Sequence, residues 1–284
     1  MRIVSFLIVM TSLSFTHPAL GRTFRVLTYN IHHSEGLDFV FDIERIADVV
    51  SSASPDIVAL QELDQGNGRS GFNVFQLDRL AELTGLQGYF GKTINFMGGE
   101  YGNGVLISPD LTITGTVNHP LPNPAAGEPR AVIEMELSFD DTDFTLFATH
   151  FDHTTETNRL AQAVFVNDLL AGSTTPALLA GDLNASPDSA TMEIIFEEWT
   201  NTSGLISQID YVLYRAADQW DVIEAGRFIV NPLTEVASDH FPLLTVVEVV
   251  PEPSSLALLS MGVLGLLETI RRRRKRMRRH DLGQ

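Results

Sequence analysis

Six short apolar runs in this chain each stop at a polar cluster, and that recurrence limits the possible folds more than any other feature. In order, the clusters are Asn30-Ile31-His32-His33, Gln61-Glu62, His150-Phe151-Asp152-His153, Gly181-Asp182-Leu183-Asn184, Gln208-Ile209-Asp210 and Ser238-Asp239-His240. The runs before them are apolar and often β-branched, which reads as buried strands. Strand ends that deliver Asn, Glu, His, Asp, Asn, Asp, Asp and His in this way describe one site at one edge of a sheet scaffold.

The periodicity places strands at 24–29, 57–61, 105–108, 131–137, 144–149, 177–180, 209–214 and 243–249. A helix is expected at 42–52, with Asp42 as its cap and Ile43, Ile46, Ala47 and Val50 on one face. Val74, Leu77, Leu80 and Ala81 mark a second helix ended by Gly85, and Leu160, Ala163, Val164, Asn167 and Leu170 a third stopped by Gly172. A fourth is expected at 192–199. Helices and strands interleave, but some strands are consecutive, so the sheets should be mixed. No internal repeat precedes Pro251, and 118–130, with four prolines, is the one long irregular insertion.

Both ends read as addresses. A basic start at Arg2, an apolar stretch and the small-residue site Ala19-Leu20-Gly21 make 1–21 a secretory signal peptide. At the other end, Pro251-Glu252-Pro253 precedes an apolar run from Leu256 to Leu267, then Glu268 and an arginine cluster from Arg271 onward. That run is short for stable membrane residence, which takes about 20 apolar residues. The 22–250 segment between the ends holds 10 basic against 33 acidic residues, a net charge of −23. Such a body repels polyanions at long range and disfavours tight, processive binding to long DNA, which needs many Lys and Arg contacts. Cysteine is absent, which removes disulfides, thiol chemistry and thiolate metal sites.

The ordered clusters resemble the endonuclease/exonuclease/phosphatase superfamily of metal-dependent phosphoesterases across roughly residues 24–248. Gly99-Glu100-Tyr101-Gly102-Asn103 and Gly127-Glu128-Pro129-Arg130 are similar to a bacterial subgroup of metal-dependent hydrolases. The resemblance implies an α/β sandwich: two mixed β-sheets packed face to face with helices outside. The tail at 251–284 resembles a PEP-CTERM sorting signal. It implies a Gram-negative source, transient inner-membrane insertion through a short transmembrane segment, cutting by an exosortase, and release to the cell surface or medium; a monomer is expected.

For the site, the resemblance implies Mg²⁺ or Mn²⁺ held by Asn30, Glu62 and Asp239, consistent with hard oxygen donors suiting a hard cation. It gives catalytic roles to His150, Asp182, Asn184, Asp210 and His240, and substrate contacts to Asn103, Arg130 and Asp152. Two bases are open: Asp182, with His240 on the phosphate, or the His240–Asp210 pair, where the aspartate orients the imidazole. The stretch 200–208 is shorter than in the resembled subgroup, which affects the substrate rim. Three functions compete: a secreted phosphoesterase acting on a small phosphate ester, phosphodiester or phospholipid headgroup; an extracellular nuclease; and a non-catalytic surface protein that kept the fold. The motif set opposes the third and the acidic body the second.

Overall fold

Two βαβ units set the frame. In the first, β1 (Thr23–Asn30) and β2 (Ile57–Gln65) are parallel neighbours joined through α1 (Ile43–Ala53). In the second, β7 (Thr142–His150) and β8 (Ala177–Asp182) are parallel neighbours joined through α3 (Glu156–Leu169). Parallel neighbours require such crossovers, because a tight turn cannot return the chain to the same end. Asp42 caps α1 by accepting the Arg45 amide at 2.9 Å, and Thr155 caps α3. The computed structural model describes residues 22–249 apart from 141, 205–207, 216–219, 231 and 233. The expected signal peptide at 1–21 and the tail at 251–284 lie outside the described residues. Among the described residues no helix is long and apolar enough to cross a membrane.

Each unit sits inside its own six-stranded sheet. The first sheet adds β3 (Gln87–Phe96), β4 (Gly99–Ile107), β11 (Trp220–Arg227) and β12 (Leu243–Val249), in the order β11-β12-β1-β2-β4-β3. The second adds β5 (Thr112–Pro120), β6 (Ala131–Phe139), β9 (Trp199–Asn201) and β10 (Asp210–Arg215), in the order β5-β6-β7-β8-β10-β9. All remaining pairings are antiparallel. Two mixed sheets with helices outside are the α/β sandwich expected from the sequence.

Strand alternation divides the apolar residues into three layers. Val26, Ile57, Ala59 and Val105 of the first sheet meet Ile133, Leu146, Ala148 and Ala180 of the second in the central layer. Val58, Leu60 and Leu106 face the other way, against Ile46 and Val50 of α1 and Leu77 and Leu80 of α2 (Gln76–Thr84). Phe147, Leu179 and Tyr211 pack under Ala163 and Val166 of α3 and Met192 and Ile195 of α4 (Ala190–Ile195).

Four strands were not expected from the sequence: β3, β5, β9 and β11. All four are sheet edges. An edge strand is covered on fewer sides, so its residues need not be apolar. β11 (Trp220–Arg227), for example, is exposed along much of its length. The helix expected at 192–199 ends at Ile195. Trp199 instead pairs with Arg215 as a strand and is buried against Phe147. The irregular segment starts later than expected, because β5 runs to Pro120.

Candidate active site

The second sheet delivers three polar residues in a row. His150 ends β7, Asp182 ends β8 and Asp210 starts β10, and the register pairs His150 with Asp182 and Asp182 with Asp210. The same register stacks Ala148 beside Ala180 and Val212 one step below, and those three belong to the layer between the sheets. With a period of two, His150, Asp182 and Asp210 therefore face the same gap at its open end. β7 and β8 approach closely beneath the row. Gly181 has φ +154, and a Cβ there would collide with the Thr149 carbonyl. Only glycine meets both conditions.

The first sheet reaches the gap differently. Ile57 and Ala59 face the central layer and Leu60 faces the helices, so regular alternation would send Glu62 to the helix side. A bulge prevents this: the β2–β4 register shifts between Leu60 and Leu63, and Glu62 has φ +65. The extra residue lets Leu60 and Leu63, three apart, both pack on the helix side and re-aims Glu62. Its carboxylate accepts from Asn30 Nδ2 at 3.0 Å, and the same amide donates to Asp182 at 3.2 Å. Asn30 Oδ1 accepts the His32 amide at 3.1 Å. Asn30 thus ties a carboxylate of each sheet to the other.

His240 approaches from the 237–240 turn, which is fixed to β1 by a hydrogen bond from Ser238 Oγ to the Asn30 carbonyl at 2.8 Å. Its Nδ1 lies 2.9 Å from Asp210 Oδ2 and its Nε2 3.8 Å from Asp182 Oδ2. Burial works against a charged His240 imidazole. The Asp210 hydrogen bond and the charges of Asp210, Asp182 and Asp239 outweigh it and raise the pKa to about 9. Burial and the Asp210 charge push the Asp182 carboxyl up to about 7, against the pull of His240. His150 behaves oppositely. Burial first, then the charge of Arg130 and the neighbouring histidines, hold it well below its usual range. Arg130 Nη1 lies 3.1 Å from His150 Nδ1. A guanidinium only donates, so Nδ1 accepts and the imidazole proton is on Nε2, 3.5 Å from Asp182 Oδ2.

The carboxylates of Glu62 and Asp210 gather around Asp182, with Asp239 on the turn next to His240, and among the described residues no lysine or arginine is within ion-pair distance of any of the four. His240 offsets Asp210 and Asp182, but Glu62 has only the Asn30 amide beside it, and a partly buried carboxylate without a cation is costly and calls for one. The donor set is oxygen-rich, which fits a hard divalent ion. Among the described residues, Asp182, Asp210 and His240 bring ligand atoms within 4.8 Å of one another and could hold a metal. Asp239 is exposed on its turn, its carboxylate 3.3 Å from Ser238 Oγ.

The profile of the endonuclease/exonuclease/phosphatase family matches residues 27–240, a span from β1 to His240 that encloses every residue of this site. The chain belongs to the endonuclease/exonuclease/phosphatase family. A PEP-CTERM protein-sorting motif matches residues 249–275, which indicates export through an exosortase to the cell surface. No curated protein matches. Among solved structures, the chain is similar to an endonuclease/exonuclease/phosphatase from Beutenbergia cavernae, with 24% identity, TM-score 0.66, and coverage of 80% of this chain and 72% of that one. It is also similar to a mannosyl-6-phosphatase from Bacteroides thetaiotaomicron, with 19% identity, TM-score 0.63, and coverage of 79% and 99%. The human Nocturnin catalytic domain with bound sulfate is similar at 20% identity, TM-score 0.63, and coverage of 80% and 93%. These likenesses carry the fold.

The residues expected to contact substrate make their contacts within the protein, Arg130 directly beside His150. Arg130 is buried; besides His150 it reaches His153 Nδ1 at 3.0 Å and Glu128 at 3.0 Å. Asn103 donates across the gap to the Ala131 carbonyl at 3.0 Å. Asp152 is fully buried and accepts from Thr154, Thr155 and Asn158. Asn184 has φ +48 and donates to the Phe151 carbonyl at 3.1 Å, while its amide bonds Asp182 Oδ1 at 2.8 Å. Arg130, Asn103 and Asp152 are thus engaged within the protein. Sequence reading missed the bulge that aims Glu62. It also missed Tyr101, buried beside Glu62 and Arg130, although Tyr101 stands in the quoted Gly99–Asn103 stretch.

Proposed function

We infer that the protein is an exported, divalent-metal-dependent phosphoric ester hydrolase that cleaves its substrate with an activated water. The observation that carries this reading is the convergence of both sheets on Asp182, which faces Asn30, His150 and His240 within 3.2 to 3.8 Å.

Glu62 and Asp239, with Asn30 beside them, would hold the Mg²⁺ or Mn²⁺, because their oxygens lack a cationic partner. In the Asp182, Asp210 and His240 set, one imidazole nitrogen is already engaged by Asp210. When bound, the ion supplies positive charge to the phosphate and to the leaving oxygen. Asp182 orients the attacking water and takes its proton. It is buried and carries the higher proton affinity that a carboxylate base needs near neutral pH. Asp210 fixes the His240 ring and favours its charged form, so His240 donates to a phosphate oxygen. Neutral His150, with its proton on Nε2, donates a second hydrogen bond where negative charge develops. Asn184 keeps the Asp182 carboxylate in place.

A small or compact phosphate ester fits this site better than a long nucleic acid. The arginine nearest His150 is spent inside the protein, and the body carries a net −23. The test is a divalent-metal screen of the purified protein against a phosphomonoester, a phosphodiester, a phospholipid and DNA. Hydrolysis of at least one, lost with chelator and restored by Mg²⁺ or Mn²⁺, is expected. Full activity in chelator, or none under any metal, would contradict the reading.

A further inference from the structure

One arginine beside the site is anchored yet not used up. Asp64 lies two residues beyond Glu62 and pairs across the strands with Tyr101. Past the bulge, Leu63 faces the helices, so Asp64 faces the gap between the sheets. Tyr101 shares the face of Asn103, whose side chain crosses to Ala131 of the other sheet. Arg69 folds back onto this pair. Its Nε and Nη2 donate to the two Asp64 oxygens at 2.9 and 2.8 Å. Its guanidinium lies over the rings of Phe96 and Tyr101, 4.8 and 5.3 Å from their centroids. Ser70 donates to the same carboxylate at 2.5 Å.

Two donors remain. Arg69 Nη1 bonds nothing among the described residues, and the side chain is 30% exposed. The Tyr101 hydroxyl also has no partner among them, while Glu62, Arg130 and Glu128 are close enough to act on it by charge. A guanidinium fixed on one edge and one face loses little freedom when its other edge binds. A salt bridge made only to neutralise Asp64 would not need the ring stack that sets the direction of the third nitrogen.

We propose that Arg69 Nη1 and the Tyr101 hydroxyl form a second anion subsite beside Glu62, which selects substrates bearing another phosphate or carboxylate group away from the scissile ester. This deepens the phosphoesterase reading and rests on it. It also explains how so acidic a domain can favour an anionic substrate: long-range repulsion is countered locally by one preorganised cation.

The test is calorimetric binding of fructose 6-phosphate and fructose 1,6-bisphosphate to the full-length protein with Mg²⁺, on a His240→Ala background to block turnover. The bisphosphate should bind about tenfold tighter, the worth of one charge-assisted hydrogen bond. Arg69→Gln should erase the preference without changing monophosphate affinity, and Tyr101→Phe, which keeps the ring under the guanidinium, should reduce it. Equal affinities, or an Arg69→Gln loss shared equally by both ligands, would overturn the subsite while leaving the phosphoesterase reading intact. If Arg69→Gln does not fold, an undiminished preference in Tyr101→Phe overturns it. Binding of neither ligand would overturn the subsite, while the phosphoesterase reading stands or falls separately on the metal screen.

Discussion

The two sheets supply the candidate site by different means. The second presents His150, Asp182 and Asp210 from three regular strands at one register level. The first needs an irregularity: Glu62 reaches the gap only through a bulge at a left-handed backbone angle. Regular strands fix side-chain direction closely, which suits groups that must exchange protons at defined distances. A bulge costs regularity and changes a side chain's direction, which suits a carboxylate that must leave its strand's alternation to meet a cation. In the proposed function, proton transfer belongs to the regular sheet and cation binding mainly to the bulged one.

Substitutions can break that comparison. The largest effect should come from the row: Asp182→Asn or His150→Ala should each lower kcat by about 10²-fold or more, with the fold retained because neither side chain belongs to an apolar layer. A near-native rate would remove that residue from the chemistry. Next is the close approach that supports the row. Gly181→Ala should destabilise by about 3 kcal/mol, read as the denaturation midpoint, and an unchanged midpoint would show that β7 and β8 can move apart. Smaller is the bulge itself. Glu62→Gly should raise stability by about 1 kcal/mol by relieving the left-handed angle, while metal-stimulated hydrolysis falls. Loss of stability would mean that the bulge is not strained.

The smallest effect concerns the loop after His150. Burial raises the Asp152 carboxyl, but its hydrogen bonds from Thr154, Thr155 and Asn158 outweigh this and hold it below its ordinary 3.8. A depressed folded value stabilises the protein above that ordinary value, and the contribution is lost as pH falls through the folded one. The stability gap between wild type and Asp152→Asn should therefore narrow as pH drops from neutral to below 4. A constant gap would mean that the role of Asp152 is steric.

Much of this was legible in the sequence because buried strands write themselves in apolar runs. Each of the eight strands expected from such runs is present. Each of the four that escaped is an edge, where Thr, Asn and Glu are tolerated beside water. The row was legible because His150, Asp182 and Asp210 stand next to these runs. The bulge was not, since Ile57-Val58-Ala59-Leu60 reads as a regular apolar strand running into Gln61-Glu62 and nothing in it announces a positive φ. Nor was the inward use of Arg130, because burial of an arginine depends on distant histidines that a linear reading does not bring together.

The division between the sheets is tested most directly by locating the ion. Crystals of the protein grown with Mn²⁺ and measured at the manganese absorption edge would show it as an anomalous peak. The account expects that peak against Glu62 and Asp239, next to Asn30, with the Asp210–His240 hydrogen bond intact. A peak coordinated by Asp182, Asp210 and His240, with none at Glu62, would contradict it.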